Sequence, residues 1–262
     1  MISVIMGVYN AEKTVERAIS SLYTYSGDIE VIAVDDGSID NTKKVLFSLK
    51  EKYPTLKVLE NTENMGLTYS LNLAFSKSSG EFIARLDADD INISGRFEKQ
   101  LKFLNSNPEY AFCAGNAILF DDNGNYARRK FTENITIDEI INYNPVIHPT
   151  LFIRRNALER VGAYRDIEKT VRCEDYDLIF RLYAKGFYGK NLNEDLIYYF
   201  EDRNSFKKHT FKTRRNEFYV RRYGAKINKS KQGKIKAFKP LFLWLLPKKI
   251  YKKMHQSKQE NL

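Results

Sequence analysis

Four short clusters in this chain carry residue types that could do chemistry. The densest is Asp87-Ala88-Asp89-Asp90, three carboxylates in four positions. Such a cluster next to buried chain is costly unless something positive offsets it. A divalent cation is the usual solution: magnesium and manganese are hard ions that take one or two carboxylates and fill the rest of their shell with phosphate oxygens and water. Asp87 and Asp89 stand two apart, so a bent strand end would let them address neighbouring parts of one ligand. The competing reading is an acidic loop that caps the next helix, and it is strongest for Asp90. Asp35-Asp36-Gly37-Ser38 is the second cluster, with plain turn chemistry as its simpler explanation, and Asn64-Met65-Gly66 likewise marks a tight connection. Glu174-Asp175 is the fourth, just ahead of an apolar helical run. One of this pair suits the positive end of the helix dipole. The other could serve as a general base, removing a proton from a hydroxyl within hydrogen-bond reach.

These clusters need elements that hold them in place, and the first half of the chain supplies a regular alternation. An apolar run over 2–8 reads as a buried strand, and Val15, Ala18, Ile19 and Leu22 follow at helical spacing. Strands at 29–34, 57–59 and 81–86 alternate with helices at 41–51, 67–78 and 94–105, with Asp40 placed to cap the first of these helices. This order implies a parallel sheet with right-handed crossovers, whose ligands bind at the carboxyl ends of strands near a switch in strand order. The chain after Val8, Val34 and Leu86 is where polar clusters stand. Beyond 108 the pattern is mixed. It predicts a strand at 110–120 broken at Gly115, a turn at 121–125, a hairpin return at 128–131, a strand at 150–153, a helix at 175–185 ended by Gly186, and a last strand at 196–200.

The bulk properties set limits. A chain of 262 residues that is 43% hydrophobic can bury a normal core. Cys113 and Cys173 lack metal-ligand spacing and read as buried thiols in a reducing compartment. The first residues lack the basic lead of a signal peptide, and no run approaches the ~20 apolar residues of a spanning helix, so the expectation is a cytoplasmic protein. The net charge of +10 is uneven: residues 203–262 carry 19 of the 43 Lys and Arg but two of the 33 acids, Glu217 and Glu260. That stretch is therefore near +17 and the remainder near −7, which asks for an anionic partner. Within it, the apolar run 241–246 with Trp244 lies between Pro240 and Pro247 and is followed by Lys248, Lys249, Lys252 and Lys253. It suits either a membrane interface or packing on the body.

Taken in order, Val4-Ile5-Met6-Gly7-Val8-Tyr9-Asn10, Val34-Asp35-Asp36-Gly37-Ser38, Asn64-Met65-Gly66-Leu67, Asp87-Ala88-Asp89-Asp90, His148-Pro149-Thr150 and Glu174-Asp175-Tyr176-Asp177 resemble family 2 glycosyltransferases, in particular bacterial members that build capsule, exopolysaccharide or O-antigen. The resemblance implies the GT-A fold, a Rossmann-like, mostly parallel α/β sheet flanked by helices. It implies a catalytic domain over 1–202, with a nucleotide-binding half at 1–107 and an acceptor half at 108–202, and a basic, partly helical extension over 203–262. Val8, Tyr9, Asn10 and Glu12 would frame the nucleoside, Asp36 would bind the base, and Asn64 and Gly66 would lie beside the nucleotide. Arg85 would help position it, and Asp87-Ala88-Asp89 would be the DXD motif, with Asp87 on the ribose or sugar and Asp89 on Mn2+ or Mg2+. Arg96 and Gln100 would touch phosphate, though a salt bridge on the helix face explains Arg96 equally well. Asp175 would be the catalytic base with Glu174 beside it, and His148 would lie on the acceptor side.

The implied reaction is inverting transfer of a sugar from a nucleotide-diphosphate sugar, UDP being the commonest carrier, to a hydroxyl of a saccharide or lipid-linked saccharide. The metal would act as a Lewis acid on the leaving diphosphate. The expected location is cytoplasmic, with peripheral attachment of the basic stretch to the inner face of the plasma membrane, where a lipid-linked acceptor would be, as one reading and packing of that stretch on the body as the other. Many relatives carry a Tyr-Arg-x-His stretch whose histidine approaches the metal. Here Tyr199-Phe200-Glu201-Asp202 stands in its place, leaving Asp202, Arg203 or His209 as substitutes. Two rival functions fit less well. A sugar nucleotidyltransferase wants a Gly-rich phosphate loop with a basic residue after the first strand, which Gly7-Val8-Tyr9-Asn10 does not supply. A basic nucleic-acid-binding protein is at odds with the acidic body and the lack of a base-reading module.

Overall fold

The computed structural model describes residues 1–203, 210–246 and 260–261. Its first half alternates as the sequence predicts: β1 (Ile2–Val8), α1 (Val15–Leu22), β2 (Ile29–Asp35), α2 (Thr42–Lys52), β3 (Leu56–Glu60), α3 (Leu67–Ser76) and β4 (Phe82–Arg85). β1 runs parallel to β2 on one side, from Ile2 opposite Ile29 to Val8 opposite Asp35, and parallel to β4 on the other. The strand order is thus β3-β2-β1-β4, and the direction of winding reverses between β1 and β4. Both faces of β1 are covered, which is why its sequence is a continuous apolar run. Ile2, Val4, Met6 and Val8 share one core with Val15, Ala18, Ile19 and Leu22 of α1, while Ile5 meets Leu71 and Ala74 of α3 on the opposite face. Gly7 lets α3 approach, since a Cβ there would stand 2.9 Å from Leu67 Cδ1.

The second half adds β5 (Ile91–Asn92), α4 (Arg96–Ser106), β6 (Tyr110–Asp121), β7 (Gly124–Arg129), α5 (Ile137–Asn142), a 3-10 turn at His148–Thr150, β8 (Phe152–Arg154), α6 (Arg155–Arg160), a 3-10 turn at Glu168–Thr170, α7 (Glu174–Ala184) and β9 (Tyr188–Phe200). β8 lies antiparallel between β4 and β6, β9 runs parallel to β6 along its other edge, and β5 pairs with β9. The break anticipated at Gly115 is a register shift against β9, where a Cβ would come within 2.6 Å of Leu196 Cδ1. Three expectations change. The last strand begins at Tyr188 rather than 196, because its polar first half is held by pairing to β6 rather than by apolar pattern. The hairpin returns at Gly124, whose φ of 101° makes the tight turn. The strand at 150–153 starts later because His148–Thr150 winds into the 3-10 turn.

After β9 come α8 (Phe211–Ile227), α9 (Lys231–Lys236), α10 (Lys239–Leu245) and a short β10 (Glu260–Asn261) beside β7. α8 is bound to the body. Val220, Gly224 and Ala225 are buried, the Asn216 amide donates to the Glu168 carbonyl at 2.9 Å, and Arg221 Nη1 donates to the Ile141 carbonyl at 2.8 Å. The division of charge at residue 203 is therefore not a division of packing. A Cβ on Gly224 would stand 2.2 Å from Phe180 Cγ of α7. Gly224→Ala should cost about 1–3 kcal/mol by overpacking, roughly 3–10 °C in Tm at this chain length. An unchanged melting curve would show that α8 does not sit against α7.

Candidate active site

The three strand ends meet at a cavity of about 1320 Å³. Val8, Tyr9 and Asn10 line it, and their conformation is set by the loop after β2. Asn10 has φ 49°, its N–H donates to Ser38 Oγ at 3.0 Å, and its Oδ1 accepts from the Ile39 N–H at 3.0 Å. Glu12 faces the same loop, not the cavity: its Oε2 accepts from both the N–H and the side-chain amide of Asn41, each at 2.9 Å. Its expected place beside the nucleoside is thus corrected, because a carboxylate next to two unmatched donors at the start of α2 is drawn to them. Asp36 is buried at the cavity wall and accepts from the Met65 and Gly66 N–H groups, both at 2.9 Å, and from the Asn61 amide at 2.7 Å. It therefore pins the connection that carries Asn64 and Gly66 into the cavity wall.

At the end of β4, Arg85 is buried and grips Asp87 with both terminal nitrogens, one of them at 2.7 Å. Asp87, Ala88 and Asp89 line the cavity. Oxygens of Asp87, Asp89 and Asp90 all lie within 4.8 Å of one another. Burial first, and then the Asp87 charge, push Asp89 up to about 6. Asp90 is held well above the carboxylate range by burial, then by Asp87 and Asp89. Asp90 does serve the loop, since Oδ1 accepts from the Phe200 N–H at 2.9 Å, but its buried Oδ2 has no partner among the described residues. An unmatched buried oxygen in a crowd of like charges is what a divalent cation would relieve, and hard carboxylate oxygens suit manganese or magnesium. The third carboxylate of the cluster is Asp90; Asp202 is exposed and stands outside that group, and neither of the two lines the cavity. His209 lies outside the described residues.

Arg96 and Gln100 are corrected as well. Both are fully buried: Arg96 Nε donates to Gln100 Oε1 at 2.9 Å, Arg96 Nη2 to the Arg85 carbonyl at 3.0 Å, and Gln100 Nε2 to the Thr150 carbonyl at 2.8 Å. They brace the end of β4, stand off the cavity wall, and Arg96 has no ion-pair partner among the described residues. Burial holds Arg96 down to about 9.

The other acidic pair opens α7. Asp177, fully buried, anchors that helix through Arg165 and through Arg181 Nε at 2.7 Å. This fixes Glu174 and Asp175 on the cavity wall, where Asp175 Oδ2 accepts from the Asn144 amide at 2.7 Å. Burial, and then Glu174, push Asp175 up to about 7, while burial also raises Glu174. The Arg85 charge acts on Asp89, Asp90, Glu174 and Asp175 alike, so one buried cation serves both acidic groups. His148 lines the cavity with its Nε2 2.8 Å from Tyr164 Oη, and burial followed by Arg85 keeps the ring well below its ordinary value, hence neutral. Asn144, Tyr164 and the α8 residues Arg214, Glu217 and Arg221 did not stand out in the sequence. The Asn-Pro-x-x-His spacing around Asn144 was the only signal present.

A cavity with a cation-seeking acidic cluster at a nucleotide-type switch point and a separate carboxylate near neutrality can bind a diphosphate and deprotonate a hydroxyl. Known proteins agree. The family model described as Glycosyl transferase family 2 matches residues 3–167. The chain is 31% identical over 263 residues to "Putative glycosyltransferase EpsE" of Bacillus subtilis (strain 168), covering 99% of this chain and 95% of that one. It is 27% identical over 202 residues to the UDP-Gal:alpha-D-GlcNAc-diphosphoundecaprenol beta-1,3-galactosyltransferase of Escherichia coli, covering 74% and 72%. The structure of S. aureus TarS 1–349 in complex with UDP-GlcNAc superposes with a TM-score of 0.71 at 19% identity, over 95% of this chain and 76% of that one, which speaks for the GT-A fold. Glycosyl transfer, rather than nucleotidyl transfer or nucleic-acid binding, is the reading these matches select. The chain belongs to glycosyltransferase family 2.

Proposed function

We propose that this enzyme moves a sugar from a UDP-sugar to a hydroxyl of a lipid-linked saccharide, with inversion and with Mn2+ or Mg2+. The observation that carries the reading is the pairing, in one cavity, of Asp87 and Asp89 (with Asp90 buried behind them in the same cluster) with an Asp175 raised to about 7. Val8, Tyr9, Asn10, Asn64 and Gly66 form the wall for the nucleoside. Asp89, with Asp90 alongside, would hold the ion, which supplies positive charge to the departing diphosphate. Arg85 fixes Asp87 for the donor sugar. Asp175 takes the proton of the acceptor hydroxyl as its oxygen attacks the anomeric carbon, and Asn144 keeps the carboxylate aimed. A single base without a carboxylate nucleophile gives inversion. The E. coli relative's name pairs a UDP-sugar with a diphosphoundecaprenol-linked acceptor. The TarS complex places UDP-GlcNAc on the same fold.

The test is a thermal-shift panel of UDP, GDP and dTDP, each with Mn2+. UDP should raise Tm most, and EDTA should remove the rise. A flat response to all three would overturn the donor assignment.

The acceptor class also bears on location. No described helix is long and apolar enough to cross a membrane. α10 exposes Phe242 at 67% and Leu245 at 68% among the lysines of 203–262. This combination suits an anionic lipid surface, and hence peripheral attachment to the inner face of the plasma membrane. The full chain should float with phosphatidylglycerol vesicles, and Phe242→Ser with Leu245→Ser should sink. Equal flotation of the native and doubly substituted chains would end the idea.

A further inference from the structure

Cations crowd the acceptor side of the cavity, and most are matched by acids. Arg129 pairs with Glu201 at 2.8 Å, and Arg214 and Arg221 share Glu217 at 2.5 and 2.8 Å. Arg172 and Lys130 differ. Both line the cavity with exposed side chains, and no described residue pairs with either. Asp166 lines the same cavity but pairs with neither.

Arg172 is also strained. Its φ of 67° is left-handed, a conformation that is costly for a residue with a Cβ. The surroundings enforce it: the Cys173 N–H donates to the Thr170 carbonyl at 2.8 Å, and the Cys173 carbonyl accepts from the Asp177 N–H at 2.9 Å. Glycine would be the easy choice here, yet a long cation occupies the position.

Its neighbours give it a direction. Asp175, where the accepting hydroxyl must lie, follows in the same segment. On the other side stands Val171, 46% exposed, which lines the cavity together with Leu243 of α10. Along the chain from Asp175 back to Val171 every residue lines the cavity, and the run passes from the base through Glu174 and Cys173 to the guanidinium and then to an apolar side chain. A molecule that matches this order has a sugar hydroxyl, then a phosphate, then a hydrocarbon chain. The donor diphosphate is not that phosphate, because its charge belongs at the Asp87 and Asp89 cluster. A guanidinium meets a phosphate with two parallel N–H bonds, and Lys130 adds a point charge.

We propose that Arg172, assisted by Lys130, holds the phosphate or diphosphate that links the accepting sugar to its lipid, and so selects phospho-lipid-linked acceptors over free saccharides. This rests on the glycosyl-transfer reading above and deepens it.

The chain's sole tryptophan, Trp244 on α10, lies next to Leu243 and reports binding by its own fluorescence. The probes are farnesyl diphosphate and farnesol, titrated into the full chain already saturated with UDP and Mn2+, so that the donor site is filled. The native chain should bind farnesyl diphosphate about tenfold or more tightly than farnesol. Arg172→Gln and Arg172→Gly should each lose that margin, and Arg172→Lys should keep part of it. Arg172→Gly should also keep or raise Tm, since glycine accepts the backbone angle, so its loss of binding would not be a folding defect. The inference is overturned if the native chain fails to discriminate between the two probes, or if the margin survives in both charge-removing variants. UDP binding, measured in the same samples, separates such a failure from failure of the glycosyl-transfer reading.

Discussion

Asp175→Asn should slow sugar transfer by about 10²–10⁴-fold, the usual worth of a general base, while UDP binding with manganese is retained. The amide keeps the shape and can still meet Asn144, but it cannot take the acceptor's proton. The native enzyme should show the same dependence in its pH profile. As the proposed base, Asp175 would work only when deprotonated, and burial with Glu174 pushes it up to about 7, so the rate should rise with pH and level off above about 7. Stability should run the opposite way. Between the ordinary carboxylate range and about 7 the folded state binds a proton that the unfolded state has released, so this residue's contribution to stability falls as pH rises through that window. Asp175→Asn removes the penalty, and at pH 8 the inactive variant should melt at a higher temperature than the native enzyme. Transfer at the native rate by the asparagine variant would refute the base assignment.

The second large effect is expected at Asp89. At about 100 times its Kd a ligand stabilises a protein by ~2.7 kcal/mol, roughly 5–10 °C at this chain length. In the native chain UDP with Mn2+ should give a shift of that size, and in Asp89→Ala the manganese-dependent part should vanish. The variant without ligand should not melt lower, because removing one of three crowded carboxylates relieves repulsion. That separates loss of the ion from loss of the fold. A full UDP–Mn2+ shift in Asp89→Ala would move the ion elsewhere.

The alternating first half was readable because a strand covered on both faces is apolar throughout and an amphipathic helix is not. α1 follows the second pattern, and β1 follows the first apart from Ser3, whose hydroxyl donates to Glu30. The strand-end acids were readable too, since three carboxylates in four positions need a reason. What could not be read was partnership across the chain. Asn144 is an ordinary loop asparagine until it lies 2.7 Å from Asp175, 31 positions away. Glu12 looked like a ligand contact because the sequence does not show Asn41 waiting beside it. Arg96 follows an acidic motif and carries a charge, yet it is sealed inside against carbonyl oxygens. The first half of β9 has too few apolar residues to announce a strand, and only β6 makes it one.

α8 carries one further consequence. Its residues Arg214, Glu217 and Arg221 form part of the cavity wall, so the helix shuts one side of the reaction chamber as well as bearing charge. Without that shutter, water would reach the activated sugar from the side where the acceptor should enter. Water is itself a hydroxyl nucleophile, and Asp175 would serve it as readily as any saccharide. With Asp175 as the proposed base, a chain cut short before α8 should then divert donor to hydrolysis, seen as UDP released without transfer product, and the basic stretch would help decide whether the sugar is joined to something or thrown away.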